Sequence, residues 1–297
     1  MDQIVLRGNL DASAGFEMPR PETGRIRILD IGANPIGGDP PYAKLLADGR
    51  AEIIGFEPNP AAFAMLQTEK GDAETYLPHA VGDGGRHVLH ICQAPGMTSL
   101  LEPDPAVLQL FHGFPDWGRV LSTKPIDTVR LDDLEQTRGT EMIKIDIQGA
   151  ELMVLQNATD RLATTLLIQT EVEFLPLYRG QPLFAEVDSF LRSHGFMLHR
   201  FFPSVSRVVQ PLLVNNDVFA GLGQIVWADA VFIRDLTQMD RLTDAQLIAM
   251  ATLLHYCYRS VDVALHLLGE HDRRTGGALG PAYLAQLQRD PLHLQSS

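Results

Sequence analysis

The sequence predicts a doubly wound α/β fold with a mostly parallel sheet, and three observations carry that expectation. Short apolar runs alternate with helical patterns from residue 26 to about residue 235. A glycine turn follows the first run, and acidic residues stand at the ends of several others. Parallel strands need a crossover to carry the chain back, so alternating strand and helix signatures point to a sheet covered on both faces.

The runs expected to form strands are 26–31, 52–56, 75–81, 142–147, 166–170, 196–202 and 225–233. Segments 61–70, 150–162 and 184–194 read as helices, the last stopped by Gly195, which can take the left-handed conformation after a helix end. Stretches 94–125 and 203–224 break the alternation. They are either loops covering a ligand or plain insertions.

Beyond residue 235 the pattern turns helical. Leu247, Ala251, Leu254, Tyr258, Val261, Leu265 and Leu268 form one apolar stripe, with Thr252, His255, Arg259, Asp262 and His266 on a more polar face. The stripe is expected to pack on the sheet domain or to build a homodimer through residues 243–268. The organisation expected is an irregular lead-in over 1–25, a main domain over 26–235 and a helical extension over 236–297.

Composition narrows the function. A chain of 297 residues with 45% hydrophobic residues can bury a sizeable core. Its formal charge of −13 disfavours nucleic acid as a partner. Two cysteines, Cys92 and Cys257, suit a reducing compartment and exclude a disulfide scaffold. Neither a secretory signal pattern nor an apolar run of spanning length is visible, so a cytoplasmic protein is expected.

The turn after the first run, Asp30-Ile31-Gly32-Ala33-Asn34, has the layout of a nucleotide site at a strand end. Asn34 stands where a dinucleotide fingerprint has its second glycine, and Asp30 would repel a pyrophosphate. A carboxylate there suits a cationic ligand, and S-adenosylmethionine (SAM) carries an ammonium and a sulfonium. Glu57, ending the second run, can accept hydrogen bonds from ribose hydroxyls, while Asn59 can cap the helix that follows. Asp83 can meet the adenine amino group or serve only as a turn residue. The cofactor-binding set is thus Asp30, Gly32, Asn34, Glu57, Asn59 and Asp83.

With these residues in place the chain resembles the FkbM family of SAM-dependent methyltransferases. The likeness rests on segments 28–34, 56–60, 80–83, 98–101 and 129–134, and on Lys144-Ile145-Asp146-Ile147-Gln148-Gly149-Ala150-Glu151. It continues through 171–173 and 193–196 to the closing Asp229-Ala230-Val231-Phe232. The resemblance implies a Rossmann-like, seven-stranded sheet with an antiparallel last strand. It also implies O-methylation of a hydroxyl on a polyketide, sugar or glycolipid. The family often carries Glu where this chain has Gln148.

Methyl transfer needs alignment above all, and a hydroxyl acceptor needs a group to take its proton. Asp146, ending the fourth expected parallel strand, is the first candidate as base or orienter, and Glu171 is the second. Glu173 shares a strand face with Glu171. Glu151 has an equally good structural reading as an acid in a helix's first turn. Asp146, Glu171 and Glu173 offer oxygens to a divalent metal, but nothing in their spacing demands one, so no metal site is assigned. Phe111, Phe114 and Trp117 either line an acceptor pocket or pack beneath a loop. The competing reading is a non-catalytic SAM-binding or assembly protein, suggested by Gln148 and the helical tail.

Overall fold

In the computed structural model the strands, in chain order, are β1 (Ile26–Ile31), β2 (Ala51–Phe56), β3 (Glu74–Leu77), β4 (Ala80–Val81), β5 (Arg86–Cys92), β6 (Val120–Val129), β7 (Met142–Ile145), β8 (Leu167–Glu173), β9 (Phe196–Arg207) and β10 (Gln224–Arg234). Residues 18–20, 24–34 and 38–289 are described, so most of the expected 1–25 lead-in lies outside the described residues. Seven strands form one sheet in the order β3-β2-β1-β7-β8-β10-β9. The β1–β7, β7–β8 and β2–β3 pairs are parallel, and β10 runs antiparallel to both its neighbours. Ile28, Leu29, Ile31, Ile143, Ile145 and Ile168 are fully buried, as strands covered on both faces require. The chain moves outward from β1 in one direction and resumes on its other side at β7, which makes the β1/β7 boundary the point where strand order reverses.

Several expected elements come out differently. The expected strand 75–81 is split at Pro78 into β3 and β4, and these belong to different sheets. β4, β6 and β5 make a separate three-stranded sheet. Both β5 and β6 escape a search for apolar runs because most of their residues are partly or fully exposed. β6 lies partly within what reads in sequence as the long loop 94–125. That stretch also holds α3 (Pro105–Leu108) and α4 (Phe114–Trp117), which follow α1 (Ala43–Ala47) and α2 (Pro60–Glu69). The expected helix 150–162 is two short ones, α5 (Glu151–Gln156) and α6 (Thr159–Leu162). α7 (Phe184–Ser193) ends as expected, with Gly195 at φ +80°.

The chain groups into two compact units. The larger comprises residues 27–37 and 53–236 and carries most of the sheet; the smaller comprises 1–26, 38–52 and 237–297. Within the smaller unit the expected single C-terminal stripe is divided between α8 (Asp244–Tyr258) and α9 (Val261–Thr275), followed by α10 (Leu279–Arg289). The break falls at Arg259, whose backbone is left-handed at φ +52°. α8 is buried on nearly every side, including Thr252 and His255 of its expected polar face. Leu247, Ala251, Leu254, Tyr258 and Leu268 of the stripe are buried, and Val261 and Leu265 are half-buried.

Polar groups in this unit find partners. Thr243 and Gln246 form a reciprocal cap at the start of α8. Asp272 accepts the Leu279 and Gly280 N–H groups at the start of α10. His255 Nδ1 lies 2.9 Å from the Tyr283 hydroxyl. Burial, and then the positive charges of Lys44, Arg259 and Arg50, push the His255 pKa down to about 4. The unfolded chain therefore binds this proton more readily than the folded one. Its contribution to stability is complete above pH 6.5 and is lost as the pH falls from there toward about 4. Melting temperature followed against pH should show that loss in the native chain and a shallower one in His255→Gln. Identical slopes would contradict the assignment.

Candidate active site

The site is built where β1 and β7 end side by side. The Gly32 and Ala33 N–H groups both donate to Phe56 O, and the Asp146 N–H donates to Ile31 O, so the ends of β1, β2 and β7 are stitched together. Gly32 has φ +82°, and a Cβ there would collide with the Asp146 carbonyl oxygen. Glycine is thus required twice over, for its backbone and for its lack of a side chain. Asn34 follows, half-buried, and Pro35–Gly37 lie outside the described residues.

Asp30 is buried and accepts a hydrogen bond from Lys144 Nζ at 3.0 Å. The two residues are directly opposite in the β1–β7 register. Burial pulls the Lys144 pKa down, but Asp30, then Asp146 and Asp229, outweigh it and the net shift is upward. Asp30 is therefore not an open carboxylate awaiting a cationic ligand, because Lys144 already matches its charge. Glu57 lies close enough to feel the Asp30 charge, and Asp146 and Asp229 close enough to act on Lys144.

Glu57 is buried at the end of β2, with Oε1 accepting the Asn59 N–H at 2.7 Å. Its pKa is raised by burial first, opposed by the Asn59 N–H and reinforced by Asp30. A buried carboxylate of this kind is better satisfied by hydroxyl donors than left alone, which fits a ribose. Asn59 Oδ1 accepts from the Ala61 and Ala62 N–H groups and so caps α2, as expected. Asp83 is turned onto its own loop between β4 and β5, where it accepts the Gly85 N–H at 2.8 Å and lies 2.8 Å from His87 Nε2. His87 first, then the Gly85 N–H, hold its pKa down. The turn role left open in the sequence is therefore occupied.

Asp146 is exposed just beyond β7, and Glu171 sits half-buried near the end of β8. Gln148 joins them: its Nε2 donates to Asp146 Oδ1 at 2.7 Å and to Glu171 Oε2 at 3.0 Å. Burial, then Asp146, Glu173, Glu151 and Asp229, raise the Glu171 pKa well above the usual carboxylate range. Glu173 is raised too, by burial and then by Glu151 and Asp146. Asp229, opposite Glu171 in the β8–β10 register, is pushed up to about 6 by burial, against the hydrogen bond it accepts from Gln169.

Glu151 resolves differently from its neighbours. Its Oε1 accepts the Ile147 N–H at 2.9 Å, and both its oxygens accept the Gly149 N–H. The carboxylate is buried beneath the turn it braces, and burial lifts its pKa to about 7 against these bonds. Oxygens of Asp146, Glu151 and Glu171 lie within 4.8 Å of one another, a spacing open to a cation, but Glu151 already serves the backbone. Glu173, named from sequence as a third oxygen donor, is not in that group.

Two residues without a role in the sequence reading belong to this cluster, with Ser99 of the loop 98–100 beside them. Lys144 and Asp229 stand inside recognised motifs, and only strand register reveals that they face the site. Ser99 is buried, with Oγ donating to Gln148 O at 2.6 Å across 49 residues of chain. Of the aromatic residues near it in sequence, Phe111 and Phe114 are buried with ring centres 5.2 Å apart, while Trp117 is half-buried and stacks on Phe219. Local packing accounts for the first two.

The family model of the methyltransferase FkbM domain matches residues 30–198. The 2-O-methyltransferase NoeI of Sinorhizobium fredii (strain NBRC 101917 / NGR234) is 31% identical over 170 residues, 54% of this chain and 69% of that protein. Among solved structures, the precorrin-6y C5,15-methyltransferase of Geobacter metallireducens GS-15 aligns over 71% of this chain and 80% of its own, at 14% identity and a TM-score of 0.34. LepI in complex with SAM aligns over 72% and 44%, at 10% identity and a TM-score of 0.33. The family follows from the sequence match, which spans more than half the chain and takes in Asp30, Glu57, Asp83, Asp146 and Glu171. The chain belongs to the FkbM family of SAM-dependent methyltransferases.

Proposed function

We propose that this methyltransferase modifies a hydroxyl oxygen of a small-molecule acceptor of polyketide, sugar or glycolipid type. The observation that carries the reading is the Asp146–Glu171 pair, joined by one amide at the strand ends beside the glycine turn. The 2-O-methyltransferase name of the related protein supports transfer to oxygen.

SAM, when bound, supplies a methyl carbon already activated by its sulfonium. Glu57 would receive the ribose hydroxyls, with Asp30, Gly32, Asn34 and Asn59 shaping the turn beside it and Asp83 at the outer edge. The chain's own task is to align the acceptor and take its proton. The acceptor oxygen bonds to the methyl carbon as the carbon–sulfur bond breaks and its electron pair returns to sulfur. Asp146, exposed and within hydrogen-bond reach of an incoming group, takes the hydroxyl proton. Glu171, whose pKa is raised by burial and by neighbouring acids, orients the acceptor through a hydrogen bond.

These roles separate in experiment. A screen of hydroxylated acceptors with radiolabelled SAM should give turnover that Asp146→Asn lowers roughly a hundredfold to a thousandfold, with SAM affinity retained. Turnover undiminished in Asp146→Asn would reject the base, and no turnover on any hydroxyl would favour a binding or assembly protein. Burial and neighbouring acids raise the Glu171 pKa, which favours a hydrogen-bonding role over a charged one, so Glu171→Gln should keep more activity than Glu171→Leu. Equal losses in the two would contradict the hydrogen-bonding role. Calorimetric titration of Glu57→Ala with SAM should show roughly tenfold to hundredfold weaker binding, the worth of hydrogen bonds to a charged group. Unchanged affinity would remove Glu57 from the ribose site.

A further inference from the structure

The turn after β7 concentrates its tethers on a residue that has no part in the steps above. Gln148 holds a left-handed backbone at φ +61°, a conformation that side chains other than glycine and asparagine rarely adopt, and Gly149 follows at φ +103°. Its carbonyl accepts from Ser99 Oγ at 2.6 Å, and that oxygen in turn accepts the Leu101 N–H at 2.9 Å. Its side-chain Oε1 lies 3.4 Å from the Tyr178 hydroxyl, which also reaches Met97 O at 3.2 Å. The amide nitrogen has two hydrogens, and it makes two bonds, to Asp146 and Glu171. Backbone, carbonyl and amide are each held, and together they aim one NH2 group between two carboxyl groups.

We propose that Gln148 is a positioning residue whose amide NH2 takes the place of a divalent cation between Asp146 and Glu171. The inference rests on the reading of those two residues as the reacting pair. Carboxyl groups this close are bridged by a shared donor or a shared cation, and here the amide NH2 is the shared donor. The distances carry the comparison further. Octahedral magnesium, with oxygens at 2.0–2.1 Å, sets neighbouring ligands about 2.9 Å apart. The amide nitrogen lies 2.7 and 3.0 Å from its two oxygens. A carboxylate at position 148 would therefore present an oxygen at the spacing of a cation's ligand shell, with no hydrogen to offer. Glu151, Glu173 and Asp229 surround the pair with further acid, and the Lys144 ammonium nearby is bonded to Asp30.

The test uses the full chain and magnesium chloride alone, so it needs no knowledge of the acceptor. Calorimetry and thermal melts are compared for the native protein, Gln148→Glu and Gln148→Met. The methionine variant keeps the length of the side chain and removes its donors. Gln148→Glu should melt lower than native without magnesium, regain stability when magnesium is added, and bind the ion at least tenfold more tightly than the native chain. Adding Glu171→Gln to that variant should abolish the gain. Gln148→Met should fold and respond to magnesium no more than the native chain does. Native protein that binds magnesium as tightly as Gln148→Glu would overturn the proposal, as would a glutamate variant with no gain. Should the magnesium results hold while Asp146→Asn turns over normally, the reading of the chemistry fails and the role of Gln148 as a cation's replacement stands.

Discussion

Everything in the site depends on how closely two backbones approach where β1 and β7 end. Gly32 has no side chain because the Asp146 carbonyl occupies that space, and the Asp146 N–H is bonded to Ile31 O. This contact brings the glycine turn and the proposed base together without any long side chain between them. It lies where strand order reverses, and there the loops after neighbouring strands diverge and leave room for a ligand. A bulkier residue at 32 would push the two strand ends apart, and with them the glycine turn from the Asp146–Glu171 pair.

Charge is the second organising constraint. Most of the acids at these strand ends are buried or half-buried, and each is matched differently. Asp30 is paired with Lys144, Glu151 is satisfied by backbone N–H groups, and Asp146 and Glu171 share one amide. Even where a donor is present, burial and neighbouring acids raise the Glu171 and Glu173 pKa values well above the usual carboxylate range. One cluster thus holds an exposed carboxyl group at Asp146 beside a half-buried one at Glu171 with a raised pKa. Environments that drive like groups apart in this way are how a site obtains two functions from one residue type.

Around this centre the architecture divides its work. The seven-stranded sheet supplies rigid strand ends, and the short helices and exposed strands between β3 and β7 supply partners such as Ser99 that hold the turn from outside. The C-terminal helices close a core of their own around His255 and Tyr283. Most of the apolar stripe over 247–268 is buried within these helices.

The sequence by itself determined the sheet and its chemistry-bearing ends. Apolar runs mark strands buried on both faces, and the acids that close those runs must emerge at one edge, so Asp30, Glu57, Asp146 and Glu171 could be named from spacing. Asn59 as a cap was legible for a local reason, while the demand for glycine at 32 comes from the distant Asp146 carbonyl. The tertiary structure alone decided the pairings. Lys144 meets Asp30, and Asp229 meets Glu171, through strand register, while Ser99 reaches Gln148 across the fold. It also decided that Asp83 bonds within its own turn, that exposed β5 and β6 join β4 in a second sheet, and that the helical tail breaks at Arg259. Periodicity and composition report which face of an element is buried. They carry no record of which distant residue comes to lie against it, because that depends on how the elements are laid side by side.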